Sequence, residues 1–244
     1  EFPRQVVTGD KTTQARVIFE GPAGTGKTLL AIEAARRAAA GGKRVLLVCF
    51  NRLLGRWLED QTRSLGPQVS AGTVHRHMLS ITKIVPGEMG AKQAFWKTEL
   101  PERAMEAIIA SPEAFQVDEL IVDEAQDLVS DNYLGVFDLL LKGGLEKGCW
   151  KMFGDFEKQS IYSGDFDSEA ARKHLGGLAA SYALRINCRN TPRIGELARM
   201  LGGLNPNYKR ILRPDNGVEP EIHYYPDGAA HLATLGKVLD DLVS

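Results

Sequence analysis

The run Gly21-Pro22-Ala23-Gly24-Thr25-Gly26-Lys27-Thr28 satisfies the phosphate-loop pattern G-x-x-x-x-G-K-[S/T] at every fixed position. Its glycines allow backbone amides to converge on phosphate oxygens. The start of the following helix adds a partial positive charge at the same point. Lys27 is placed to reach β- and γ-phosphates, and the Thr28 hydroxyl to ligate Mg²⁺. A second run, Asp123-Glu124-Ala125-Gln126-Asp127, offers Asp123 to hold Mg²⁺ directly or through water. Its neighbour Glu124 is able to accept a proton from an attacking water. Gln159 carries both a donor and an acceptor for a γ-phosphate or a water. Arg189, in a loop just before a helix, has the placement of an arginine that reaches a γ-phosphate. Gln5, upstream of the loop, can read the edge of adenine with one donor and one acceptor. These residue types call for ATP and Mg²⁺, with Gln5 and the stretch Gly21 to Leu29 as the nucleotide-binding set.

Several candidates lie just beyond an apolar run, which is where an open α/β sheet binds its ligands. Val17-Ile18-Phe19 precedes the glycine loop, and Leu29 to Ala40 is rich in strong helix formers. Val45 to Phe50 reads as an interior parallel strand ending at Asn51 and Arg52. Val69 to His75 reads as a short strand ending in polar residues. Leu120-Ile121-Val122 leads into the acidic run, and Trp150 to Phe153 leads into Gly154-Asp155. Asn51 and Arg52 are therefore candidate ligand contacts, although a helix cap and a solvated arginine would look the same. His75 and His77 form an H-x-H pair without a matching third ligand, so a polar contact is the preferred reading over a metal. Tyr162 and Phe166 suit either stacking on unpaired bases or packing on the sheet.

Residues Ile84 to Phe115 are broken by Pro86, Gly87, Gly90, Pro101 and Pro112 and read as an insertion, with Trp96 as a packing residue. Thr191 and Pro192 have the character of a helix start, and Gly202-Gly203 of its end. One more strand is expected at Glu221 to Tyr225, then an amphipathic helix at Ala229 to Val243. The alternation of strands and helices predicts an α/β fold, a mainly parallel sheet flanked by helices.

Composition is that of an ordinary globular chain of 244 residues with a net charge of −1. Nothing in that balance calls for a nucleic-acid partner, so any such contact must be local. Cys49, Cys149 and Cys188 have no metal or redox spacing, and a reduced, cytoplasmic compartment is expected. No apolar run approaches a membrane span, and no membrane partner is expected. The start at Glu1-Phe2 and the end just after a helical pattern suggest part of a longer protein.

Taken in order, these runs resemble the motifs of superfamily 1 helicases of the UvrD/Rep type. GPAGTGKT resembles motif I, VCFNRLL motif Ia, and GTVHRHM the T-x-H segment that meets single-stranded DNA. LIVDEAQD has the D-E-x-x-D form of motif II. FGDFEKQSIY resembles motif III and NCRNTPRI motif IV. The resemblance implies a P-loop NTPase (RecA-like) fold, with residues 1–184 as the ATP-binding motor domain and a small insertion at about 84–115. Residues 185–244 would begin an incomplete second RecA-like domain. It implies phosphate and Mg²⁺ binding by Lys27 and Thr28, Mg²⁺ binding by Asp123 and water activation by Glu124. Gln159 and Arg189 would attend the γ-phosphate. Asn51, Thr73, His75 and Tyr162 would lie toward single-stranded DNA, with RNA left open.

Two departures stand out. Motif III ordinarily reads G-D-x-x-Q, whereas three residues separate Asp155 from Gln159 here. Nothing after Thr191 matches motifs V and VI, which belong to the second motor domain. The chain by itself is therefore expected to bind nucleotide, to hydrolyse it slowly and to need a C-terminal motor domain as partner. A nucleotide-dependent switch that never moves on nucleic acid is the competing reading. A phosphotransferase is a third, disfavoured because a water-activating glutamate beside the Mg²⁺ carboxylate would waste ATP.

Overall fold

The computed structural model describes residues 15–156, 173, 175–201 and 208–243. Gln5, Gln159, Tyr162 and Phe166 lie outside the described residues.

Six parallel strands build the main sheet: β1 (Arg16–Glu20), β2 (Val45–Cys49), β3 (Val69–Thr73), β4 (Glu119–Asp123), β5 (Cys149–Gly154) and β6 (Ala180–Ala183), in the order β3-β2-β4-β5-β1-β6. Both β2 and β4 are buried along their whole length. Sheets covered on both faces have this unbroken apolar character. Side chains alternate between faces along each strand, so two cores form. Leu46, Val48, Leu120, Val122, Trp150 and Met152 face one way. Val45, Leu47, Cys49, Ile121, Phe153 and Phe19 face the other.

Helix α1 (Lys27–Ala40) and helix α2 (Arg52–Thr62) cover the second face. The buried stripe of α1 is Ala31, Ala34, Ala35 and Ala38, a helical spacing of small residues that lets the helix lie close to the sheet. Beyond α1, Phe19 stacks on Phe153 with ring centroids 4.7 Å apart. The first face carries α3 (Val74–Thr82), α4 (Leu100–Ala110), the single turn α5 (Pro112–Phe115), and α6 (Asp131–Leu140). A further single turn, α7 (Gly144–Lys147), leads into β5.

The expected insertion is thus a helical layer of the first core. Residues Phe95–Glu99 form a wide turn running directly into α4, with Pro101 in its first turn. Ion pairing closes the opposite end of the sheet: Glu119, 2% exposed, lies between Lys43 and Lys151, and Lys43 Nζ is 2.7 Å from Glu119 Oε2.

After β6 the chain leaves the main sheet. A separate two-stranded parallel sheet joins β7 (Ile186–Asn187) to β8 (Arg210–Ile211), with helix α8 (Pro192–Leu201) between them in sequence. A last helix, α9, spans Gly228–Val243. The strand expected at 221–225 is absent. Those residues are irregular, and Ile222, Tyr224 and Tyr225 are exposed. Alternating apolar residues make a strand only where a neighbour offers a hydrogen-bonding edge, and none pairs with them among the described residues. No helix among the described residues is long and apolar enough to cross a membrane.

Candidate nucleotide site and adjoining cleft

Strand register decides which residues meet. Glu20 pairs with Gly154, and Phe153 with Asp123. The C-terminal ends of β1, β5 and β4 are therefore level, with β5 between the other two. The loop that starts at Gly21 and the carboxylates that start at Asp123 emerge on one edge. The Gly21 amide donates to the Gly154 carbonyl at 3.1 Å, tying the loop to β5.

Within the loop, Gly24 and Gly26 have φ of 87° and 85°, the left-handed region closed to most side chains. A Cβ on Gly24 would also stand 2.8 Å from Asn187 Oδ1. The Thr25 hydroxyl donates to the Pro22 carbonyl at 2.8 Å. Lys27 is 6% exposed, and its ammonium donates to the carbonyls of Gly21 at 2.7 Å and Pro22 at 3.3 Å. Leu29 is on the exposed side of the first turn of α1.

Across the edge, Asp123 is fully buried. Its Oδ1 accepts the Glu124 amide at 3.1 Å. Burial pushes its carboxyl up to about 6. The Thr28 hydroxyl and the Lys27 ammonium oppose that rise, while the neighbouring Glu124 adds to it. Asp123 Oδ2 has no hydrogen-bond partner among the described residues. An uncompensated buried carboxylate oxygen beside a threonine hydroxyl is a donor set suited to a hard divalent cation such as Mg²⁺. Glu124 itself has φ 49° and ψ 48°. A non-glycine residue in that region stores about 1–3 kcal/mol of strain, and such strain gathers at functional sites.

Residues not singled out in the sequence brace this edge. Gln126 lies between Glu124 and β5, donating to the first and accepting from the Asp155 amide. On the far side of the loop, Cys188 donates its amide to the Gly24 carbonyl at 2.8 Å, and the Tyr208 hydroxyl donates to Ala23 at 2.8 Å. Asn187, fully buried, accepts the amides of Arg189 and Asn190. Arg189 is thereby anchored through its backbone near the loop, with an exposed side chain. No local pattern in the sequence marks Tyr208 as a neighbour of the loop.

Asn51, Thr73 and His75 meet elsewhere on the same side of the sheet, beyond β2 and β3. They line one cleft of about 810 Å³ with Phe50, Arg52, Arg56, Arg76, Trp96, Lys97 and Tyr133. Asn51 caps α2, its Oδ1 accepting the amides of Leu53 and Leu54, and Thr73 caps α3 through the amide of Arg76. The cap and the cleft position are one geometry: a polar residue at a strand's end begins the next helix. Arg52, Arg56, Arg76 and Lys97 are exposed, and Arg76 pairs with Glu59. Trp96 packs on the core as expected and also lines the cleft.

His75 sits among three rings, edge-on to Phe50, Trp96 and Tyr133, with Nε2 2.8 Å from the Tyr133 hydroxyl. Burial lowers both His75 and His77 from 6.5 to about 4. Between those values the unfolded chain binds more protons than the folded one, so stability falls as pH falls. Each histidine is worth roughly 3 kcal/mol over the full window. Asp123 acts with the opposite sign, because its folded value lies above 3.8 and it gains protons first in the folded state. It offsets about one histidine. Urea unfolding should therefore lose about 3 kcal/mol between pH 7 and pH 4, and Asp123→Asn should steepen that loss.

A sequence profile of the AAA domain family matches residues 4–165. No curated protein matches the sequence. Among solved structures, a DNA replication initiation factor aligns with 75% of this chain and 44% of its own, at 15% identity and a TM-score of 0.40. AMPPCP-bound DnaA from Aquifex aeolicus aligns with 84% of this chain and 50% of its own, at 16% identity and a TM-score of 0.40. The chain spans about half the length of these two structures. The matched span holds the phosphate loop, the acidic strand tip and five of the six parallel strands, β1 to β5; the chain belongs to the AAA domain family and is a nucleotide-binding P-loop NTPase domain.

Proposed function

We propose that this chain is the ATP-binding motor portion of a DNA-dependent ATPase of the UvrD/Rep helicase type, acting on single-stranded DNA. The observation that carries the reading is one sheet edge holding two neighbouring features. Lys27, Thr28, Asp123 and Glu124 converge at one end, and a cleft with four exposed cations and several aromatic rings opens beyond β2 and β3. Cations neutralise a phosphate backbone, and rings stack on unpaired bases.

Lys27 and the loop amides bind and orient the triphosphate, exchanging the carbonyls of Gly21 and Pro22 for phosphate oxygens at the ammonium. Thr28 and Asp123 hold Mg²⁺, which when bound neutralises charge on the β- and γ-phosphates. Glu124 takes the proton of the attacking water. Arg189 reaches toward the γ-phosphate, Gln159 links that phosphate to the DNA strand, Gln5 reads adenine, and Tyr162 joins Asn51, Thr73 and His75 toward the strand. Residues 1–184 form the first motor domain, and residues 185–244 begin a second one that a longer chain would complete. The protein acts in the cytoplasm.

The test is ATP turnover with and without single-stranded DNA, together with DNA affinity at several salt concentrations. Stimulation by the strand is expected. About three backbone contacts would give a slope near −2 in log K against log salt, so affinity should fall roughly tenfold or more from 50 to 200 mM. Turnover that ignores DNA, with salt-independent binding, would favour a nucleotide-dependent switch. RNA in place of DNA separates the two polymers.

A further inference from the structure

Gln126 stands between the proposed base and the rest of the nucleotide edge. Its Nε2 donates to Glu124 Oε2 at 2.9 Å, and its Oε1 accepts the Asp155 amide at 3.1 Å. Both ends of one planar amide are thus engaged by two different strand ends. The approach to β5 is close: a Cβ on Gly154 would stand 2.9 Å from Gln126 Oε1. Gly154 in turn accepts the Gly21 amide at the start of the phosphate loop. A short chain of contacts therefore runs from Glu124 through Gln126 and the end of β5 to the loop that would hold the phosphates.

We infer that Gln126 is a positioning residue for ATP hydrolysis: it aims the Glu124 carboxylate and ties its position to that of the phosphate loop. This rests on the reading of Glu124 as the base. The amide occupies Oε2 and leaves Oε1 to take the proton of the attacking water. A side chain with several rotatable bonds, leaving a backbone in the left-handed region, has many ways to miss that water. One hydrogen bond from a residue itself anchored on β5 selects among them. Small errors of placement are costly in such a step, on the order of 100-fold for about 1 Å.

Two substitutions separate aiming from simple stapling of the strand ends. Gln126→Leu removes the hydrogen bonds to Glu124 and from the Asp155 amide. Gln126→Glu keeps an acceptor for the Asp155 amide and replaces the donor to Glu124 with a repelling charge. Both variants of the full chain should lose about 10- to 100-fold in kcat, with the KM for ATP within threefold. Hydrogen exchange at the Asp155 amide should accelerate in Gln126→Leu alone. A Gln126→Glu protein that turns over ATP at the wild-type rate would reduce the residue to a staple and overturn the inference. A rise in KM at constant kcat would overturn it as well. Unchanged ATP turnover in Glu124→Gln would remove the base assignment for Glu124, and the inference with it.

Discussion

Glu124→Gln should bind Mg²⁺-ATP nearly as well as the wild type and hydrolyse it about 10²–10⁴-fold more slowly. That factor corresponds to roughly 3–5 kcal/mol of transition-state stabilisation. The substitution keeps the size of the side chain and its acceptor oxygen, so the contact with Gln126 survives. The phosphate loop, Thr28 and Asp123 are untouched. The charge lost from Glu124 is one that now opposes ionisation of Asp123, so the proposed metal site is not weakened by the change. Only the capacity to take a proton disappears. Single-turnover hydrolysis and binding of a fluorescent ATP analogue read the two effects separately. Turnover retained in the variant removes Glu124 from the mechanism.

Lys27→Ala should act on binding instead. In the structure the ammonium is buried and donates to two loop carbonyls. Charge-assisted hydrogen bonds to phosphate oxygens are individually worth about 1.5–3 kcal/mol. Part of that is offset, because the same ammonium must give up the carbonyls of Gly21 and Pro22. The expected result is about 100-fold weaker affinity for ATP, read by calorimetric titration, with a thermal midpoint close to the wild type. An unchanged affinity would mean that the loop does not hold the phosphates. A loss of folding would point to the carbonyl contacts as the residue's main role. Lys27→Met, which keeps the buried stem, distinguishes the two.

These effects differ in kind because the edge is assembled from two chemistries. The loop side supplies donors and positive charge; the strand-tip side supplies acceptors and negative charge. The two sides meet at Asp123, which interacts with the Thr28 hydroxyl and the Lys27 ammonium. Glu20 and Gly154 in register, and Phe153 with Asp123, set the ends of β1, β5 and β4 level. A register slip of one residue would turn every side chain to the other face of the sheet, carrying Asp123 away from Thr28.

Much of this was legible in the residues alone. GPAGTGKT and DEAQD are contiguous, and their chemistry follows from spacing along the backbone. The unbroken apolar runs at Val45 to Phe50 and Leu120 to Val122 announced strands covered on both faces, and alternation with helices announced a parallel sheet. The final helix was visible from its pattern. The strand expected at Glu221 to Tyr225 was not formed, since a pattern names a face but supplies no partner.

What the sequence determined by itself, then, is the set of local elements and the chemistry that each carries at its end. Tertiary structure alone decided their company: β5 between β1 and β4, Tyr208 and Cys188 on the loop's carbonyls, the cleft drawn from β2, β3, the wide turn before α4 and α6, and Gln126 reaching β5. The physical reason is range. Backbone spacing and helix or strand propensity act over a few residues, whereas ladder partners and close approaches join residues far apart in the chain. Those partners are chosen when the two apolar faces of the sheet are buried together.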